Sequence, residues 1–347
     1  MTRILLDDVT VTYAGVAALR HVTLGVEDRE LLVVIGPSGS GKSTLLRAVG
    51  GLEAVTGGAV RFDGRDVTRV SPASRDIAMV FQEDALIPFK SVRANVAFPL
   101  EVHRVGRAEI ERRVLAEARA LAIDRFLERF PRELSAGHQQ LVQAARALVR
   151  SPSVFLLDEP LARMDATNRR MMRDEILLLQ RGYGVTTIYA TNDQEEAMAI
   201  ADRIAVLGDG HLHQVGTPDT VYREPVDRFV AGFVGSPSMS FLAGEALPRE
   251  IRTAAGSIPF ERPGIAGRVT VGVRPHHWEI VPAAGLSGEV TFVENHGDHG
   301  YASVALGEDE ITMRVQLDGP KPGDIIEIWT RRFHVFDRDG RAVAHIG

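Results

Sequence analysis

The sequence predicts an α/β chain built on a parallel sheet and followed by a smaller all-β domain. Short β-branched runs alternate with helical stretches through the first part of the chain, and one run leads directly into a glycine-rich turn and a helix. After Gly235-Ser236-Pro237-Ser238 the pattern changes to many short alternating runs separated by glycine, proline and charged turns. Strands interleaved with helices are joined by crossovers, which gives a parallel sheet covered on both faces. Closely spaced short strands point instead to a small barrel-like unit.

Taken in order, Leu31-Leu32-Val33-Val34-Ile35 is apolar without interruption and reads as a strand buried on both faces. The residues from Ser43 to Val49 continue as a helix. Ile110, Val114, Leu115, Ala118, Leu121 and Ala122 recur at helical spacing, which predicts a helical insert over about residues 84–150 with one apolar face. Val154-Phe155-Leu156-Leu157 is a second buried strand, ending in acidic residues, and Thr186-Thr187-Ile188-Tyr189-Ala190 is a third. The later short runs are residues 268–273, 278–281, 289–293, 301–306, 311–315 and 325–329. The boundary falls near Ser236, giving domains of residues 1–235 and 236–347.

Bulk properties agree with two folded domains. A chain of 347 residues exceeds one ordinary core. With 45% apolar and 25% charged residues it belongs with globular rather than disordered chains. The net charge of −6 argues against nucleic acid as a partner, since phosphate contacts call for a basic face. The absence of cysteine excludes a disulfide framework and thiolate metal sites. No apolar run approaches the ~18 residues needed to span a bilayer, and the N-terminus lacks the apolar stretch of a secretory signal. A membrane role would therefore come through partner chains.

Two motifs carry chemistry by themselves. Gly36-Pro37-Ser38-Gly39-Ser40-Gly41-Lys42-Ser43 fits the G-x-x-x-x-G-K-[ST] phosphate loop and sits, as it must, between a strand and a helix. Its glycines allow backbone N–H groups to converge on phosphate oxygens, and the helix N-terminus adds partial positive charge. Lys42 would reach the β- and γ-phosphates, and the Ser43 hydroxyl would ligate Mg²⁺. Asp158, at the end of the second buried strand, would hold the same metal, and its neighbour Glu159 would polarise an attacking water.

A third motif narrows the class. Leu134-Ser135-Ala136-Gly137-His138-Gln139-Gln140 resembles the L-S-G-G-Q signature of the ABC transporter ATPases, and Arg146-Ala147-Leu148 follows at the usual offset. The resemblance implies a P-loop ABC-type nucleotide-binding domain with a helical subdomain, then an OB-like (TOBE-type) all-β regulatory domain. It implies ATP and Mg²⁺ as ligands. Tyr13 takes the adenine-stacking position, and Gly36, Ser38, Gly39, Ser40, Gly41, Lys42, Ser43 and Thr44 take the phosphate positions. Gln82 takes the place of a loop glutamine that contacts metal and water, joining Ser43 and Asp158 in the metal set. Ser135, Ala136, Gly137 and His138 would face ATP bound to an opposite protomer, and Asp165 belongs to a D-loop that crosses between protomers. Phe233-Val234-Gly235-Ser236-Pro237-Ser238-Met239 and Gly272-Val273-Arg274-Pro275 resemble the tail motifs of the carbohydrate-importer ATPases, the maltose-importer type. The family works as a pair of ATPase subunits, identical or different, on two transmembrane permease subunits at the cytoplasmic face of the cell membrane. An extracytoplasmic solute-binding protein delivers sugars, polyols or glycerophosphodiesters.

Four positions depart from the family pattern. Asn192 stands at the switch position, normally histidine and counted with Glu159 and Gln82 as catalytic. Asparagine donates a hydrogen bond but cannot become cationic. Ala136 and His138 replace a glycine and a glutamine of the signature, and Leu141 stands where arginine is usual. These changes leave the fold expectation intact and put turnover in question. The alternative they raise is a weakly or non-hydrolysing ATP-gated clamp paired with a second, intact ATPase.

Overall fold

In the computed structural model, residues 2–81, 86–162, 164–282 and 285–347 are described. They fall into two compact units, Met1–Pro218 and Asp219–Gly347.

The first unit opens with β1 (Ile4–Tyr13) and β2 (Val16–Val26), paired antiparallel. β3 (Leu31–Ile35) follows, every residue buried, and then α1 (Lys42–Gly50). β4 (Gly57–Phe62) returns to pair with β1, and β5 (Arg65–Asp66) pairs with β4. The resulting four-stranded sheet, β2-β1-β4-β5, is an antiparallel layer absent from the parallel-sheet expectation. It turns Ile4, Leu6, Val22 and Leu24 onto Leu45, Leu46 and Val49 of α1, so α1 is held between two sheets.

The second sheet contains β6 (Ile77–Val80), β7 (Val154–Asp158), β8 (Thr186–Thr191), β9 (Arg203–Gly208) and β10 (His211–Gly216). Its order is β10-β9-β3-β8-β7-β6, parallel except for the β10 edge. Central β3, β7 and β8 are buried along their whole length, as an uninterrupted apolar run requires. Between β6 and β7 lie α2 (Val92–Val102), α3 (Arg107–Ala120) and α4 (Ala136–Leu148), within the expected insert. Val114 and Ala118 of α3 are buried, but Leu121 and Ala122 lie beyond its end, where Ala122 takes φ +52°. α5 (Ala166–Tyr183) and α6 (Gln194–Ile200) complete this unit.

The second unit starts with two short helices, α7 (Pro218–Arg223) and α8 (Arg228–Phe233). The contacts thus divide the chain at Pro218, ahead of the change in composition near Ser236. The reason is Arg274, 1% exposed, whose guanidinium donates to the carbonyls of Tyr222 (2.8 Å), Ala231 (3.2 Å) and Val234 and stacks on the Tyr222 ring at 4.1 Å. It ties both helices to the strands that follow.

Those strands are β11 (Ser240–Ala246), β12 (Glu250–Thr253), β13 (Gly256–Pro259), β14 (Gly267–Val273), β15 (Trp278–Val281), β16 (Leu286–Asn295), β17 (Gly300–Leu306), β18 (Asp309–Val315), β19 (Ile325–Thr330), β20 (Phe333–Phe336) and β21 (Ala342–Ile346). They form two antiparallel sheets, β13-β12-β11-β14-β20-β21 and β15-β19-β16-β17-β18. Burial alternates strictly along β17, and the inward residues of both sheets, among them Leu242, Val271, Val304 and Ile328, share one core. Six of these strands coincide with the short runs seen in the sequence. Most of the others are short or carry charges that mask the alternation.

The histidines of this unit make its stability depend on pH. Burial first, then His345, Arg274 and His277, pushes the His334 imidazole down to about 3, and burial pushes His277 down to about 4. An unfolded histidine titrates near 6.5, so below that pH the unfolded chain binds more protons and folding stability is lost as pH falls toward these values. Both tryptophans, Trp278 and Trp329, lie in this unit and report on it selectively. The urea midpoint read by tryptophan fluorescence should fall between about pH 7 and pH 5, and the fall should shrink in His334→Asn.

Candidate functional site

The first unit collects its polar residues at one end of the parallel sheet. β8 lies between β3 and β7, with Ile35 opposite Thr191 and Asp158 opposite Ala190. The carboxyl ends of three adjacent strands thus finish together, where open α/β sheets place ligands. Each strand end delivers one group of the sequence-predicted set.

From β3 comes the glycine-rich turn. A Cβ at Gly36 would lie 2.1 Å from the Leu207 carbonyl oxygen, so β9 leaves room only for glycine. Gly41 caps α1 at φ +104°, and a Cβ there would lie 2.6 Å from the Ala18 carbonyl oxygen. Lys42, 4% exposed, curls back over the turn, its Nζ donating to the carbonyls of Gly36 (2.9 Å) and Pro37 (3.0 Å). Burial lowers its pKa, and the nearby charges of Glu159 and Asp158 oppose that shift. Ser40 is buried, with its hydroxyl oxygen unpartnered among the described residues.

From β7 comes Asp158, 2% exposed, whose Oδ1 accepts from the Ser43 hydroxyl at 2.8 Å. Glu159 follows with φ +46° and donates its backbone N–H to Ala190 of β8 at 2.9 Å. That left-handed turn separates its side chain from its neighbour's. From β8 comes Asn192, whose Nδ2 donates to Glu159 Oε1 at 2.6 Å. The residue that departs from the family pattern is therefore bonded directly to the carboxylate expected to act on water.

Behind Asn192 stands a network that the sequence reading lacks. Glu196, buried on α6, accepts from the hydroxyls of Thr191 (2.6 Å) and Tyr189. Its pKa is raised, chiefly by burial, although both hydroxyl bonds favour the charged form. The Asp193 N–H donates to the Thr191 hydroxyl at 3.0 Å, and Arg169 pairs with Asp193 at 3.2 Å while donating to the Met164 carbonyl at 2.8 Å. These contacts fix the backbone on either side of Asn192. The one sequence signal for Glu196 was a carboxylate early in a helix, which a solvent-facing residue would give equally.

Tyr13 ends β1 with its ring 40% exposed. Its pKa is raised, chiefly by partial burial and then by a hydrogen bond with Glu53, while a bond with Thr44 of α1 acts the other way. That places its phenol beside the helix of the phosphate loop. Gln82 lies outside the described residues, as does Arg163 of the D-loop stretch. Asp165 caps α5, accepting from the Asn168 N–H at 3.0 Å and from Asn168 Nδ2 at 2.5 Å.

The signature residues form their own cluster at the start of α4. Ser135 is the N-cap, its Oγ accepting from the His138 N–H at 3.4 Å and lying 2.8 Å from His138 Nδ1. The His138 ring meets Phe126 edge-on at 4.4 Å, and its pKa is lowered by burial and by Arg125 and Arg129. His138 is thus engaged by Ser135 and Phe126 of its own chain. A Cβ on Gly137 would meet only the Met172 methyl at 3.6 Å.

This arrangement has clear relatives. A family model for the ABC transporter matches residues 19–162. The chain is 42% identical over 99% of its length to the whole sn-glycerol-3-phosphate import ATP-binding protein UgpC of Brucella abortus. It is similarly 42% identical to that of Ruegeria pomeroyi, over 99% of this chain and all of that one. The chain belongs to the ABC transporter ATPases. Within them it is of the carbohydrate-importer type, so it is the ATP-binding, ATP-hydrolysing subunit of an ABC importer. Among solved structures, an ATP-binding cassette described as a dimer in a post-hydrolysis state with ADP and Pi is 30% identical to this ABC ATPase. The likeness covers 62% of this chain and 98% of that one, with a TM-score of 0.56. No helix among the described residues is long and apolar enough to cross a membrane.

The tight fit at Gly36 gives a direct test. Gly36→Ala should cost on the order of 1–3 kcal/mol of stability by overpacking, read as a lower melting temperature, and weaken binding of a fluorescent ATP analogue. Unchanged melting and binding would mean that the turn does not need its close approach to Leu207.

Proposed function

We propose that two copies of this ATPase, or one copy and a related subunit, clamp ATP head to tail on a pair of membrane permease subunits. The chain would then be peripheral at the cytoplasmic face, with an extracytoplasmic binding protein supplying solute. The observation that carries the reading is the convergence of Lys42, Ser43, Asp158, Glu159 and Asn192 at three adjacent strand ends. In this reading Tyr13 stacks on adenine and the turn from Gly36 to Gly41 wraps the phosphates with its N–H groups. Thr44 supports that end, and Lys42 leaves its carbonyls for the β- and γ-phosphates. Ser135, Ala136, Gly137 and His138 of one chain approach the γ-phosphate of the other's ATP, the N-terminus of α4 supplying partial positive charge. Asp165 sits in the loop crossing between them.

The metal set fits Mg²⁺ chemically. Ser43 and Asp158 present oxygen ligands already 2.8 Å apart, as a hard cation prefers, and Gln82 would complete the set. Bound there, Mg²⁺ would neutralise phosphate charge. Glu159 orients the attacking water and takes its proton as the water adds in line to the γ-phosphate and ADP leaves. Asn192 holds Glu159 through Oε1, but it brings no positive charge to the transferring phosphoryl group.

The relatives support a class of solute. Full-length similarity to import proteins named for sn-glycerol-3-phosphate supports that ester, or a related polyol or glycerophosphodiester, as what the assembled importer moves. The second unit takes the part of an OB-like (TOBE-type) regulatory domain.

Two substitutions examine this mechanism. Glu159→Gln should keep Mg-ATP binding and pairing while turnover falls about 100-fold or more, the scale of a lost general base. A variant that neither bound nor paired would contradict the composite site. In the assembled complex Asn192→His should raise ATP turnover by about tenfold or more. A rate unchanged or lowered would remove Asn192 as the limiting feature.

A further inference from the structure

The second unit contains a cavity of about 180 Å³ lined by three arginines and four histidines. Arg274, Arg332, His276, His277, His334 and His345 line it. Arg223 also reaches it, while holding an exposed ion pair with Asp219 at 2.7 Å. That volume greatly exceeds the roughly 10–15 Å³ that one water needs, yet is small for a nucleotide or a drug-sized ligand.

Charge compensation here is incomplete. Arg274 spends its terminal nitrogens on backbone carbonyls, and neither Arg274 nor Arg332 takes part in an ion pair of this unit among the described residues. Arg274 Nε and His277 Nδ1 are buried without a hydrogen-bond partner among the described residues. A buried guanidinium and a buried orphan ring nitrogen are both costly unless something binds to them. Glu224 is the carboxylate that acts on His345, but its influence is smaller than that of burial. His334 and His345 already share a close Nδ1–Nδ1 contact of 2.7 Å, so one of these nitrogens carries the proton. The His276 and His277 rings meet edge-on at 4.3 Å. No group of three or more His, Asp or Glu poised for a metal ion exists among the described residues. Three arginines and no acidic side chain line the cavity, and each neutral imidazole adds one donor and one acceptor nitrogen.

We propose that this cavity is a binding site for a small phosphate-type oxyanion, either free phosphate or a small phosphomonoester. Arg332 and Arg274 supply the charge, and the imidazoles of His276 and His277 supply orientable donors. A tetrahedral oxyanion uses donors spread around it better than a planar carboxylate does, and guanidinium suits phosphate oxygens. The site is distinct from the phosphate loop, which lies in the other unit.

Equilibrium dialysis of the full chain with labelled inorganic phosphate tests this, with the phosphate loop silenced by Lys42→Ala or, separately, saturated with a non-hydrolysable ATP analogue. One phosphate per chain should remain bound in both arms. Arg332→Gln combined with His276→Gln should weaken it about tenfold, the scale of a lost charge-assisted hydrogen bond. Arg274 is left intact because it holds α7 and α8. In the unaltered, analogue-saturated chain, the imidazole proton resonances of His276 and His277 should shift on phosphate addition. Displacement by glycerol phosphate more readily than by unlabelled phosphate assigns the site to esters, and the reverse order assigns it to the free ion. The proposal is overturned if silencing the phosphate loop abolishes all binding, if the double substitution leaves affinity unchanged, or if chloride at matched ionic strength displaces the label.

Discussion

Parallel pairing of β8 with both β3 and β7 is the constraint on which the site depends. That pairing sets Ile35 beside Thr191 and Asp158 beside Ala190, so a glycine turn, an acidic pair and an asparagine meet although they are far apart in the chain. The strands are buried on both faces, and slippage would carry apolar side chains out of register with the cores above and below. The hydrogen bonds from Ser43 to Asp158 and from Asn192 to Glu159 are therefore consequences of packing. They in turn hold the polar groups that Lys42 faces.

Electrostatics divides the two carboxylates at the end of β7. Asp158 is nearly fully buried and already bonded to Ser43, which suits a fixed ligand. Glu159 stands one residue on, turned by a positive φ, with its oxygen on Asn192. Asparagine there can position the carboxylate, but it contributes no charge of its own. Glu196 and Arg169 stiffen the backbone around it, so the substitution sits in a rigid frame. The second unit shows a contrasting economy: four histidines whose pKa values burial lowers share one cavity lining with three arginines.

Legibility followed the range of the interaction. The phosphate loop, the acidic strand end and the helix-capping serine were readable because each is a local string whose backbone geometry demands glycine, a carboxylate or a hydroxyl at a fixed spacing. The antiparallel layer of β1, β2, β4 and β5 was not, since its strands carry several charges and β4 returns to β1 from far along the chain. Glu196 was hidden for a related reason. Nothing in its neighbours along the chain says that it is buried under Tyr189 and Thr191. Composition changes at Ser236, whereas contacts change earlier, where Arg274 captures α7 and α8.

By itself the sequence determined the class of fold, the phosphate-binding turn, the acidic pair and the presence of a separate β unit, because backbone sterics and hydrophobic periodicity act between near neighbours. Tertiary structure alone decided that Asn192 bonds Glu159, that His138 is spent on Ser135 and Phe126, and that histidines from three separate stretches line one basic cavity. Those outcomes depend on which strands lie side by side and how far each group is withdrawn from water, and both are fixed only when the whole chain has packed.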